Sequence, residues 1–213
     1  MKKRVLAVCL SILLASFAVT GCAKVVKIGE EDKYTGKKEF NAGDNVAEIW
    51  DAQAIPEFEK KAVDLDEFIT ESNGDFASLV DKYGKYSMGD SGEINYVVKG
   101  SGTITEINTD SQVGFVTVKP DNYDGPVVIK LQIGPVYKGS ALRDSLSFIK
   151  FGDYTNQQEW AEVSQSINAV IDKNVVKKAD VKALQGKSVS FLGAFTQNGN
   201  DEILITPVEL SEK

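Results

Sequence analysis

No histidine occurs in the 213 residues, and cysteine occurs only at Cys9 and Cys22. A serine–histidine–acid triad, a cysteine–histidine pair and every histidine-bearing zinc or iron site are thereby excluded. Chemistry is left to carboxylates, lysine or tyrosine, or to a hard cation among oxygen ligands. Glu57, Glu59, Asp64, Asp66, Glu67 and Glu71 offer carboxylates to a hydrolase, but an ordinary solvated helix carries the same pattern and no apolar pocket singles out a pair. The stretch "DNYDG", Asp121–Gly125, lacks the spacing and distal glutamate of a calcium loop and reads as a solvated turn. No catalytic residue, metal site or cofactor is expected.

The residue that asks for an explanation is Arg143, in "LQIGPVYKGSALRDSLSFIKF". Gly134 and Pro135 end a strand there, and a helix starting near Ser140 leaves Arg143 in its first turn, where the helix dipole disfavours a cation. One reading sends its planar fork of donors to a carboxylate or hydroxyl-rich ligand, with Tyr137, Asn156 and Gln157 as neighbours. The other makes it a clamp that holds an acidic residue of the N-terminal helices against the strands.

The elements that must position these residues begin after an export signal. Lys2, Lys3 and Arg4 precede the apolar run "VLAVCLSILLASFAV", and "VTGC" puts a small residue, Gly21, directly before Cys22. This resembles the lipobox of lipoproteins, so Met1–Gly21 is expected to be removed and Cys22 to carry the lipid, palmitate among its acyl chains. The 192 residues that remain hold 21 Lys and Arg against 31 Asp and Glu, a net charge of −10, with Arg143 as the one arginine. Such a field repels phosphate backbones and anionic headgroups, so no nucleic-acid partner is expected and membrane attachment falls to the lipid.

Residues 22–45 read as a polar tether. "VAEIW", Val46–Trp50, fits either a strand or a buried lead-in to helices. Residues 46–90 form a helical N-terminal part, a hairpin broken at "SNG", with Asp75 as N-cap of its second helix and Gly84 as its stop. Period-two alternation then predicts three strands in "EINYVVKGSGTITEIN", "VGFVTVKP" and "VVIKLQIG", the first bent at Gly100 and Gly102. A helical insertion over about 138–185 follows, its long helix opened by a Thr155–Gln158 capping box and stopped at Asn174. Two strands, "GKSVSFLGAFTQ" and "EILITPVEL", close the chain around "NGND". The class is α+β, and residues 91–213 form an OB-like five-stranded antiparallel barrel with its insertion between strands three and four; a plain sheet without closure is the alternative. Tyr96, Tyr123, Phe115 and Phe191 are expected in the core or at its rim.

"LQIGPVYKGSALRDSLSFIKFGDYTNQQEWA", with "IWDAQAIP", "VKGSGTI", "LQGKSVSFLGAF" and "ITPVEL", resembles a family of predicted periplasmic lipoproteins over nearly all of the mature chain. The resemblance implies an OB-like fold with added helices and genes that often lie beside those of sugar-type ABC transporters. It implies no reaction. The leading expectation is a lipid-anchored extracytoplasmic protein without catalysis that serves carbohydrate uptake and binds a sugar, a polyol or a transporter component. An interaction module of the envelope with no solute site is the alternative, and a carboxylate-based hydrolase the third reading.

Overall fold

Val46, Trp50, Ala54 and Phe58 recur at a spacing of four, and all four are buried. That stripe winds the start of the described chain into helix: α1 (Ala42–Ile49), a π turn (Trp50–Ala54) and α2 (Ile55–Lys61), with Pro56 in the first turn of α2, where no backbone N–H is needed. The computed structural model describes residues 42–213, so the signal, Cys22 and the tether as far as residue 41 lie outside the described residues. The strand alternative for "VAEIW" is corrected to helix, and Ala42–Asn45, expected in the tether, belong to α1. Five residues were too few to tell period two from period four.

The expected helical hairpin is instead a string of short pieces threaded by two edge strands. β1 (Val63–Asp64) leads into α3 (Leu65–Ser72), which ends on left-handed Asn73 and Gly74. A 3₁₀ turn (Phe76–Leu79) follows, with the Asp75 side chain accepting from the Ala77 N–H as expected of an N-cap. Then come α4 (Val80–Tyr83) and β2 (Gly84–Tyr86).

The remaining elements are β3 (Ile94–Asn108), β4 (Val113–Pro120), β5 (Val128–Pro135), α5 (Ala141–Ser145), α6 (Gln157–Ile171), β6 (Ser188–Thr196) and β7 (Glu202–Glu212). The strands pair in the order β3-β4-β5-β7-β6, and β6 returns to β3, so the sheet closes into a barrel. The plain open sheet is thereby ruled out. Four pairings are antiparallel, but β5 and β7 run parallel, which corrects the all-antiparallel expectation. β1 and β2 add to the flank of β3. Strand β3 serves both sides of the closure: Asn95–Thr103 pair with β6, and Gly102–Asn108 pair with β4. At Gly102 a Cβ would lie 2.2 Å from the Lys119 carbonyl oxygen, so only glycine permits the crossing of partners there.

Alternation fills the barrel. Val116 and Val118, Ile129 and Leu131, and Ile203 and Ile205 are buried at a spacing of two. A second apolar cluster joins the helical string to the barrel wall: the Phe68 ring lies 5.3 Å from Phe76, 4.8 Å from Tyr96 and 5.6 Å from Phe195. The Tyr96 hydroxyl donates to the Phe76 carbonyl, satisfying its one polar atom. Tyr96 and Phe191 are buried and Phe115 and Tyr123 half-buried, as core or rim residues should be.

Candidate functional site

Helix α5 has a single turn, so Arg143 stands as near its C-terminus as its N-terminus and the dipole argument against it loses force. Its side chain is buried. The Nε donates to Asp144 Oδ1 at 2.8 Å, Nη1 donates to the Trp160 carbonyl at 2.9 Å, and the guanidinium lies 3.9 Å from the centroid of the Trp160 ring. Phe151 and Tyr154 pack on the same indole, at 5.6 and 5.2 Å. Arg143 thus fastens α5 to α6. It is a clamp within the insertion, and the acidic residue it holds is its neighbour Asp144, not one of the N-terminal helices.

The three proposed neighbours of Arg143 have separate tasks. Asn156 is the N-cap of α6: its Oδ1 accepts from the Glu159 N–H, while Glu159 Oε2 accepts from the Thr155 N–H. The expected Thr155–Gln158 box is therefore shifted by one residue, because Asn156 competes for the same role and asparagine is preferred to threonine as an N-cap. The Asn174 stop is overrun as well, since α6 continues into a π turn, Asp172–Val176. Gln157 opens α6 and faces solvent. Tyr137 packs its ring over Gly134, and its buried hydroxyl lies near Asp172 without a well-formed hydrogen bond. Burial first, and then the Asp172 charge, push that phenol well above its ordinary range. Nothing in this arrangement brings the four residues to one binding surface.

The tie between the N-terminal helices and the insertion is made elsewhere. Glu57 Oε1 accepts from the Ser147 N–H at 2.8 Å and from its hydroxyl at 2.6 Å, and pairs with Lys61 at 2.5 Å. Burial works to raise the Glu57 pKa, but the hydrogen bonds from Lys61 and Ser147 outweigh it and hold the carboxyl below its usual range. Lys61 also donates to the Ser145 carbonyl, and Lys85 to the Leu146 carbonyl, so two lysines cover the last carbonyls of α5. Other members of the acidic run act likewise: Glu71 accepts from Lys82 and Tyr83, and Asp66 from Asn122.

Between these lysines, β1, β2 and the edge of β3 runs an open groove of about 600 Å³. Lys61, Lys85, Asn95 and Ser145 line its inner part, and Lys82, Asp64 and Glu67 its rim. Asn95 is locked, taking the Thr196 hydroxyl and donating to the Glu93 carbonyl. Ser145 is not: its hydroxyl is buried without a hydrogen-bond partner. A second groove, about 510 Å³, lies over Gly100, Phe191 and the end of β7, where Asp121, Ser101 and Lys213 already satisfy one another. Nothing in the residue pattern marks the lysine groove. Lys61 ends a polar helix and Lys85 sits in a turn-rich stretch, and they come together because β1, just after Lys61, and β2, which holds Lys85, both pair with β3.

Comparison with known proteins agrees with this architecture. The crystal structure of an OB-fold protein from Thermotoga maritima superposes with a TM-score of 0.64 at 21% identity, covering 83% of this chain and all of that one. No curated protein matches the chain. The model of the family described as predicted periplasmic lipoprotein (DUF2291) matches residues 12–211, a span that takes in Cys22 and the barrel strands as far as Ser211. The chain is a member of this predicted periplasmic lipoprotein family, and its place is extracytoplasmic.

Proposed function

We propose that the protein is a membrane-tethered binding module with no reaction of its own, held by a lipid on Cys22, that captures a small polar solute for uptake. The observation that carries this reading is the groove of Lys61, Lys85, Asn95 and Ser145: an open cleft whose inner wall keeps a buried hydroxyl unsatisfied. OB barrels commonly work as binding scaffolds, sugars included, which fits a polar ligand. The partner implied by the family resemblance is a component of a sugar-type ABC transporter. In this reading Arg143 supports the site from behind, since its Nε and one Nη1 donor hold Asp144 and Trp160.

Thermal unfolding against a panel of sugars, polyols and their acids tests the solute. A ligand at 100 times its dissociation constant adds about 2.7 kcal/mol to the folded state. A saturable rise in the unfolding midpoint with one chemical class is the expected result. Indifference to every compound, together with capture of a transporter subunit by cross-linking, would replace the solute with a purely protein partner.

A further inference from the structure

Lys85 is half-buried, and among the described residues no carboxylate lies within 4 Å of its ammonium. The chain has 31 acidic residues for 24 basic ones, so a counter-ion is not missing for want of supply. Burial first, and then the charge of Lys61, lower the pKa of Lys85, while Glu57 and Asp144 oppose the shift and Lys150 adds to it. A half-buried ammonium without a paired carboxylate is costly to keep unless something else supplies the charge. An ammonium has three donors, and Leu146 O takes one of those of Lys85. Ser145, which is 2% exposed, stands in the same groove with its hydroxyl unpartnered.

The geometry points to Lys85, Lys61 and Ser145 as the seat of an oxyanion, the carboxylate or phosphate of a small polyhydroxylated acid. This rests on the solute-binding reading and narrows it. The Lys85 ammonium, the remaining donor of Lys61, whose charge Glu57 already meets, and the unpartnered Ser145 hydroxyl provide donors for an acid with several acceptor oxygens. Asp64 and Glu67 at the rim repel a second negative charge but accept from hydroxyls, so the remainder of the ligand is neutral and hydroxyl-bearing. A simple anion satisfies only the inner part of such a groove.

Titration calorimetry of the full-length chain in non-ionic detergent, at constant ionic strength, tests the assignment with gluconate, inorganic phosphate, glucose and sodium chloride as probes. The expected result is saturable binding of gluconate or phosphate, which also tells the carboxylate from the phosphate, and none of chloride. Lys85→Met is expected to weaken it at least about tenfold, and Lys85→Arg to retain most of it. Because Lys85→Met also removes a cap from α5, Ser145→Ala serves as the second variant: it deletes an unsatisfied hydroxyl, so the unfolding midpoint stays or rises while anion affinity falls severalfold. Glucose binding alone, unchanged in Lys85→Met, overturns the anion and leaves the solute-binding module standing. Anion binding equal in wild type and both variants overturns the seat, and silence from all probes overturns it as well, leaving the solute-binding reading to the wider panel of sugars and polyols.

Discussion

Arg143 holds two unlike partners with one planar group: a carboxylate at its edge and an indole beneath its face. Lysine cannot do both, since its ammonium is a point charge with neither fork nor stacking plane. Arg143→Ala leaves Asp144, 4% exposed, as a buried charge without its partner, and an expected loss of about 3–5 kcal/mol follows. Arg143→Lys recovers less than half of that. Replacing the pair together, Arg143→Met with Asp144→Leu, costs far less than Arg143→Ala, because no charge is then stranded. Urea unfolding of the three variants checks the order, and a double variant as weak as Arg143→Ala would show that the clamp is more than an isolated pair. The importance of this arginine was legible in the sequence, because a lone arginine beside a Gly-Pro exit stands out. Its partner was not: Trp160 is seventeen residues away, on the other side of a loop with no periodicity to carry the reading across.

At the scale of elements, the short helices are stabilised by what they touch and not by their length, since helices of five to eight residues are marginal alone. Phe68 shows it, meeting Phe76, Tyr96 and Phe195 at the junction of α3 with the barrel. Phe68→Ala is expected to cost about 3–5 kcal/mol, read as one cooperative transition in which helical and barrel signals are lost together. Separate transitions would mean that the helical string folds apart from the barrel. The tie from Glu57 to Ser147 acts through charge and is therefore pH-dependent. With its folded pKa below its unperturbed value of 4.5, Glu57 contributes stability that is fully present above that value and lost as pH falls through the folded pKa. Glu57→Ala should cost about 2 kcal/mol at neutral pH and flatten the decline of stability below pH 4.5; an unchanged acid limb would assign the decline to other carboxylates. The strands were readable because each carries its own alternation. The tie was not, because a glutamate in an acidic helix has no local mark of its distant partner.

The whole molecule combines a closed barrel, a net charge of −10 after the signal, and an anchor expected at Cys22. Strand order, insertion point and the bend at Gly102 followed from the sequence because turns and period-two runs are local, whereas the parallel β5–β7 pairing is set only when the insertion brings the chain back. Charge decides how such a protein meets a membrane. A negative chain gains nothing from anionic headgroups, so under the proposed lipid anchor attachment would depend on acyl chains, and two or more of them hold a protein far more firmly than one. Membranes washed with about 1 M salt, where the Debye length is about 3 Å, should therefore retain the protein in full. Cys22→Ser, exported but without a lipid site, should appear in the soluble extracytoplasmic fraction. Retention of Cys22→Ser on membranes, with release by salt, would reverse the argument and make a charged partner protein the anchor.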